Sequence, residues 1–367
     1  MKISTIINET ERRVAITPDV ARKYISLGFN VVLPRNIGVS VGIRDDEYIA
    51  VGAEVKGSDF IVDADIYVCV KLQGIINKLY SCKKSDLCLK IHSGSHLIGI
   101  LNPSQNCKEL KVLSKNGVNC YALELLPRIG RAQPMDVLSS QANIAGYRAV
   151  LEALSFYDRV VPLMMTAAGT VRPAKVLVLG AGVAGLQAIA TAKRIGAVVS
   201  AFDVRAIARE QVESLGATFI SVEGSDKTSN SYAREMDSDY KKRQREKLLE
   251  TIAKIDIVIS TAQIPGKPAP RLIDKEMIES MPNGSIVVDM ATETGGNCEL
   301  SKKDEVVRIG GVTIVGYSDL ASRVAHDSSQ FFAKNVLNFV SLMLKDGKID
   351  DSDEIVQATL LKKFFGE

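Results

Sequence analysis

Apolar positions along this chain gather into short β-branched runs separated by amphipathic stretches. In the N-terminal part the runs are KISTII, NVVLP, ADIYVCVK, HLIGIL and GVNCYAL. Alternation of this kind predicts an α/β architecture. The first helix is bounded clearly, with Thr17 expected as N-cap, Pro18 at the first helical position and Gly28 just past the end. After Tyr121 the segment ALELLPRIGRAQPMDVLSSQANIAG has no strand period and leads into a helix expected from Ala142 to about Tyr157, a bridge between two domains. Between Lys175 and Asp203 the pattern predicts a buried strand, a glycine turn, a helix and a second strand ending in AVVSAF, and further apolar runs predict strands near Thr218–Ser221, Asp256–Ser260, Ser285–Asp289 and Val312–Val315. A helical pattern then runs from Leu320 to about Leu344, and a polar-faced helix begins at Ile355. The chain is expected to cross back here, giving a discontinuous first domain (1–137 plus 321–367) around a second (138–320).

Composition narrows the functional classes. A chain of 367 residues exceeds one ordinary core and fits two domains of about 150–200 residues each. Hydrophobic residues make up 46% and charged residues 24%, a globular balance with ample apolar surface to bury. The net charge is only +3 and no basic stripe is interleaved with aromatics, which excludes nucleic acid as an expected partner. The run from Lys241 to Lys247 is the most basic stretch, and it reads as the solvated face of a helix that buries Leu248, Leu249 and Ile252. No window approaches the about 18–20 apolar residues needed to cross a bilayer, and MKISTIINETERR lacks a secretory apolar stretch, so a cytoplasmic chain is expected. Cys69, Cys82, Cys88, Cys107, Cys120 and Cys298 form no C-x-x-C pair and suit reduced packing thiols. His92 and His96 are four apart, but the intervening Ser-Gly-Ser opposes the helix that a metal pair needs there, and no metal site is expected.

The chemistry concentrates between Lys175 and Asp203. Gly180, Gly182 and Gly185 form G-x-G-x-x-G between a buried strand and a helix. The first permits a tight turn, the second lets backbone approach a pyrophosphate, and the third lets helix and strand pack closely. The helix starting near Val183 aims its N–H groups and positive dipole end at the phosphates. Asp203 follows Gly185 by eighteen residues and ends AVVSAF, where an acid accepts from a ribose 2′-hydroxyl and repels a 2′-phosphate. The expected contacts are Gly180, Gly182, Val183, Ala184, Gly185, Asp203, Val204 and Arg205, and the expected cofactor is NAD rather than NADP. Arg205 could hold a 2′-phosphate or be a solvated arginine near the adenine edge; the acid two residues before it opposes the former. The fold class is α/β, with two Rossmann-like doubly wound parallel-sheet domains joined by long helices. The polar run from Val222 to Asp239 cannot bury much surface, and its composition fits either a mobile flap or a disordered surface insertion.

MDVLSSQANIAGYRAV, MMTAAGTVRPAKVLVLGAGVAGLQAIATAKRIGA and DVRAIAREQVESLGA resemble one family closely, the proton-translocating nicotinamide nucleotide transhydrogenases, in their separately encoded NAD(H)-binding α1 subunit. The resemblance extends to NETERRVAITPDV near the N-terminus, IPGKPAP at Ile264–Pro270, AxExGGN at Ala291–Asn297 and SRVAxDxS at Ser322–Ser329. It implies that a loop of pattern R-x4-Q-x2-D-x2-S contacts the nicotinamide end and carries the transfer, here Arg128, Gln133, Asp136 and Ser139. Such residues suit an amide pocket, with Asp and Gln oxygens to receive the carboxamide NH₂ and Arg and Gln N–H groups for its carbonyl or for the pyrophosphate. The alternative is that Arg128 and Asp136 tie the interdomain loop together.

The resemblance also implies a mobile loop over about 222–240 whose Tyr232 closes over the adenine side, and cofactor contacts from Gln244 and Gln263. Gln263 follows a predicted strand at its carboxyl end, where α/β sheets bind ligands. It further implies NADP(H) on a partner subunit, an NADP-binding/membrane beta subunit, a small membrane alpha subunit, a homodimer of this chain, and a peripheral position on the inner side of the cell membrane.

Alanine dehydrogenases are similar to the N-terminal residues and form the rival reading. Oxidising an amino acid needs a general base and cationic groups for the carboxylate, whereas hydride passage between two nicotinamides needs no proton transfer at carbon. Arg13 and Lys71 fall where the dehydrogenases have their carboxylate-binding arginine and lysine. The expected catalytic histidine is replaced by Asn102, and the Asp of the dehydrogenase pattern I-D-Q-G-G by Glu293. Asparagine exchanges no proton near neutral pH. Arg13 and Lys71 are therefore expected to be structural remnants. A non-enzymatic NAD-sensing module is the third reading, opposed by the full motif set around the reactive ring.

Overall fold

The computed structural model describes residues 1–6, 8, 10–57, 63–72, 91–222, 238–264 and 267–361. Contacts divide the chain into two units, Met1–Gln141 with Ser322–Glu367, and Ala142–Ala321. Each is built on its own largely parallel sheet.

The first unit holds β1 (Lys2–Thr5), β2 (Asn30–Pro34), β3 (Glu54–Lys56), β4 (Ile66–Lys71), β5 (His96–Ile100) and β6 (Asn119–Ala122). They are parallel throughout, in the order β3-β2-β1-β4-β5-β6. Parallel sheets are covered on both faces, which is why their strands read as continuous apolar runs. In β4, Ile66, Val68 and Val70 enter one core with Tyr24, Phe332 and Phe339, while Tyr67 and Cys69 enter the opposite one with Leu97, Leu110 and Cys120. The returning helix, Ala325–Met343, lays Phe332, Val336, Phe339, Val340 and Met343 into the first of these cores, a helical stripe spaced to cover a sheet face.

Thr17 departs from expectation. Its carbonyl accepts the first helical bond from Ala21 N–H at 2.8 Å, but its fully buried hydroxyl makes no cap bond and has no partner among the described residues. Pro18, not the threonine side chain, marks the start. The sequence pattern also passed over β3, whose Glu-Val-Lys is a short polar edge strand.

The strands of the second unit begin with a two-stranded hairpin, β7 (Met164–Thr166) and β8 (Gly169–Val171), all six residues exposed. Its main sheet comprises β9 (Lys175–Leu179), β10 (Val198–Phe202), β11 (Thr218–Phe219), β12 (Ile257–Ser260), β13 (Ile286–Asp289), β14 (Val306–Ile309) and β15 (Val312–Val315). The order is β11-β10-β9-β12-β13-β15-β14, and only the β14–β15 pair is antiparallel. The order runs outward from β9 in both directions, so the crevice at the carboxyl ends of β9 and β12 is the switch point where such sheets take ligands. The helix expected from Ala142 begins at Val137 and runs to Phe156, for a reason that the site makes plain.

Packing in the first sheet is tight enough to test. A Cβ on Gly99 of β5 would lie 2.2 Å from the Cys69 carbonyl oxygen and 2.7 Å from its Sγ. Gly99→Ala is expected to destabilise the chain by about 1–3 kcal/mol, read as a lower urea midpoint; an unchanged midpoint would mean that the two strands separate without cost.

Candidate functional site

The three fingerprint glycines meet three different physical demands. Gly180, directly after β9, has φ +94°, and a Cβ there would also press on Thr261 Oγ1 at 2.8 Å. Gly182 precedes the Val183–Arg194 helix and its carbonyl accepts Leu186 N–H at 2.8 Å. A Cβ on Gly182 would meet nothing within 4 Å, so open space lies over the helix N-terminus. A Cβ on Gly185 would fall 1.8 Å from the Gly180 carbonyl oxygen. The turn is fixed by Gly180 N–H to Phe202 O at 2.8 Å, Thr261 N–H to Leu179 O at 2.8 Å, and the Thr261 hydroxyl to Gly180 O at 3.0 Å. First-turn N–H groups, here those of Val183, Ala184 and Gly185, have no helical acceptor, and with the dipole they suit a phosphate. Thr261 and Gly146 are contributors the sequence reading missed. A Cβ on Gly146 would lie 2.0 Å from Ala184 O, so only glycine lets its helix approach.

Asp203 stands at the end of β10 with its carboxylate 7% exposed. Oδ2 accepts from Ala181 N–H at 2.7 Å and Arg205 Nη2 at 3.0 Å; Oδ1 accepts from Arg205 N–H at 2.8 Å and Arg205 Nε at 3.0 Å. A carboxylate offers about four acceptor positions, and all are used. Arg205 is thus not simply a solvated arginine: its guanidinium supplies two of the bonds that hold Asp203. A ribose hydroxyl donating to Asp203 would have to take the place of one of these N–H groups, and a 2′-phosphate would meet the carboxylate's charge. These residues fit an NAD adenosine and pyrophosphate.

Beyond β12 the chain is pinned by a buried amide. Asn297 Oδ1 accepts from the Ser260 hydroxyl, and its Nδ2 donates to Ala262 O and Pro270 O, each at 2.8 Å. Between those carbonyls lies Gln263, whose Nε2 donates to Met290 O at 3.2 Å. Asp289, fully buried, receives Ala291 N–H, Cys298 N–H and the Ser301 hydroxyl at 2.6–3.0 Å, which shapes the loop carrying Asn297. Gln244 is half-buried on the Ser238–Ile252 helix rather than an ordinary surface residue. On the same helix Lys241, Lys242 and Arg243 are exposed, while Arg245 pairs with Asp274 at 2.6 Å and with Glu276. Tyr232, with most of the loop assigned to it, lies outside the described residues.

Arg128, Gln133, Asp136 and Ser139 belong to the first unit. Asp136 directly precedes the Val137–Phe156 helix: its Oδ1 accepts Ser139 N–H at 2.9 Å and its Oδ2 the Ser139 hydroxyl at 2.6 Å. This side-chain cap starts the helix at Val137 instead of Ala142. The preceding 3-10 turn, Gly130–Met135, buries Ala132 and Met135 and leaves Gln133 exposed, as is Arg128 just before it. Asn335 and Asn338 Nδ2 both donate to Pro134 O, at 2.7 and 3.0 Å, and Arg131 forks onto Asp353 at 2.9 and 3.1 Å. These partners lie some 200 residues from the turn in sequence, and no local motif signals them.

Of the residues that a dehydrogenase would use, Arg13 is engaged within the chain. Arg13 donates to Glu11 through Nε at 2.8 Å and Nη2 at 2.7 Å, and to Gln141 Oε1 through Nη1 at 2.7 Å, all buried. Lys71 ends β4, and its carbonyl accepts from Asn8 Nδ2. Asn102 has φ +46° and, with Leu101, donates its N–H to Glu124, whose burial pushes its pKa up. Glu293 is exposed and faces Lys303 at 3.9 Å. Burial raises the thiol of Cys120 to about 12 and that of Cys298 to about 11, leaving both protonated and unreactive near neutral pH. His96 lies in β5 with Nδ1 3.2 Å from the Tyr121 hydroxyl, and no metal-holding cluster occurs among the described residues.

Residues 4–145 match the profile of the alanine dehydrogenase/PNT N-terminal domain and residues 149–363 that of its C-terminal domain. The chain belongs to the alanine dehydrogenase/PNT family. Within it, the chain is 45% identical over 359 residues to a Rickettsia prowazekii protein, the first of the pieces that make up its NAD(P) transhydrogenase subunit alpha, covering 97% of this chain and 92% of that one. It is 48% identical over 335 residues to the protein of the same name from Rhodospirillum rubrum, covering 90% and 86%. The crystal structure of transhydrogenase from Sinorhizobium meliloti superposes with a TM-score of 0.86 at 45% identity, covering 98% of each chain.

The glycine turn separates two substitutions. Gly182→Ala should leave unfolding unchanged but weaken NADH binding by tenfold or more, since the methyl occupies the open space where a pyrophosphate would sit (about 1.4 kcal/mol per tenfold). Gly185→Ala should lower both, because its methyl drives the helix off Gly180. Calorimetric binding with parallel urea unfolding checks this; equal binding losses without a stability difference would contradict the assignment.

Proposed function

We propose that this chain is the NAD(H)-binding subunit of a proton-translocating NAD(P) transhydrogenase, and that it passes hydride reversibly between NADH held here and NADP⁺ held on a partner subunit. The observation that carries the reading is an intact phosphate turn and ribose acid in a chain where the dehydrogenase histidine is Asn102, its backbone held by Glu124. The nicotinamide itself supplies the hydride.

In this reading the chain's residues bind and orient. The first-turn N–H groups after Gly182 receive the pyrophosphate, and Asp203 accepts from the adenosine ribose. Gln244, Gln263 and Tyr232 add contacts. Arg128 and Gln133 donate to the carboxamide carbonyl, and the oxygens of Gln133 and Asp136 receive its NH₂, with Ser139 fixing the carboxylate. No proton needs to be taken from carbon, so placement supplies most of the rate.

The partners follow the same reading: an NADP-binding/membrane beta subunit, a small membrane alpha subunit, and a second copy of this chain. The β7–β8 hairpin supports the last, since Met165 is 76% exposed beside exposed Leu163, Met164 and Val171, an apolar surface that a second copy would cover. No helix among the described residues is long and apolar enough to cross a membrane. Attachment to the inner side of the cell membrane would therefore run through the other subunits.

Two measurements test this. Purified chain mixed with NADH, an acetylpyridine analogue of NAD⁺ and an NADP-loaded partner domain should transfer hydride only when the partner is present; ammonia-dependent reduction of pyruvate by the chain alone would favour the dehydrogenase. Gln133→Asn should keep NADH affinity within about twofold yet slow transfer by about a hundredfold, the scale of a misplaced ring. Parallel losses of affinity and rate would reduce Gln133 to a binding role.

A further inference from the structure

Tyr240 carries a buried hydroxyl. It is the third residue of the Ser238–Ile252 helix and only 4% exposed, and its Oη has no hydrogen-bond partner among the described residues. Its ring belongs to the apolar cluster of Phe202, Leu248 and Val258, with Val204 packed at the margin. Phe202 and Val204 flank Asp203 in the chain. Burial first, and then the charge of Asp203, push the phenol's pKa up, so the group keeps its proton and acts as a donor.

A phenylalanine would fill the same apolar space without burying an unmatched polar atom, so in the empty fold the hydroxyl is a destabilising feature. Asp203 does not relieve it, because its acceptor positions are filled by Ala181 and Arg205. A ribose bound at Asp203 would bring hydroxyl oxygens able to accept from the phenol.

We infer that Tyr240 is a further cofactor-positioning residue, its hydroxyl donating to one hydroxyl of the adenosine ribose while Asp203 accepts from the other. The inference rests on the reading of Asp203 as the ribose acid. The ligand class is a dinucleotide with a vicinal, unphosphorylated adenosine diol, and selectivity for it is then shared between a donor and an acceptor.

Y240F in the full chain tests it with NADH titrations and ligand-free urea unfolding. NADH binding should weaken about three- to tenfold, while the ligand-free midpoint stays equal to or above that of the parent. Dinucleotides lacking the 2′- or the 3′-hydroxyl of the adenosine ribose supply the second readout. One of them should bind the parent more weakly than NADH does, and Y240F should show no such difference. Unchanged NADH affinity, a lower ligand-free midpoint, or identical analogue losses in both proteins would overturn the inference alone. Failure of the parent to bind NADH would remove the reading of Asp203 together with it.

Discussion

The candidate site depends on one carboxylate held by four N–H groups. Asp203 joins the end of β10 to the glycine turn through Ala181 N–H and collects the backbone and guanidinium of Arg205 on its own strand's exit. Phe202 O and Thr261 tie Gly180 beside that anchor, and Leu186 N–H ties the Gly182 carbonyl. Because Gly185 has no side chain, the helix begins in contact with the Gly180 carbonyl, and its N-terminal N–H groups are held at a fixed place. The acid, which accepts, and the donor-rich helix end have opposite preferences, suited to ribose hydroxyls and to phosphate.

Polar side chains hold loops in each unit. Asn297 holds the segment containing Gln263 by three bonds, and Asp289 holds the loop that carries Asn297. In the first unit, Asp136 caps the Val137–Phe156 helix while Asn335, Asn338 and Arg131 hold the turn that exposes Gln133. Asp136 and Ser139 therefore serve the helix whether or not a cofactor is bound, and that structural duty is compatible with presenting the remaining lone pairs to an amide. In the Glu11–Arg13–Gln141 cluster, three guanidinium N–H groups go to Glu11 and Gln141, and Gln141 Nε2 donates to Ser328 O.

Much of this was legible in the sequence, because continuous apolar strands and a glycine turn are local signals. The parallel strands that carry each sheet's core were marked by their buried runs. Polar or short edge strands such as Glu54–Lys56 and Val306–Ile309 were not, since half their surface is free to be hydrophilic. Asp136-x-x-Ser139 was readable as a helix cap and would have moved the helix start to Val137. The pairing of Arg205 with Asp203 spans two residues yet depends on rotamers, and Asn335 reaches Pro134 across about two hundred positions, so neither has a sequence signature. The Thr17 expectation failed because a residue type favoured at caps was buried instead of turned toward the first N–H groups. Tyr232 falls outside the described residues, and its role remains a proposal carried by resemblance.

The central claim is that these residues only place a ring and move no proton at carbon. NADH deuterated at its transferable ring position, incubated with this chain and an NADP-loaded partner domain, tests that most directly. The account predicts that the deuterium reappears in NADPH with no hydrogen drawn from solvent. Solvent hydrogen in the NADPH formed, or transfer of the label to a keto acid by this chain alone, would contradict it.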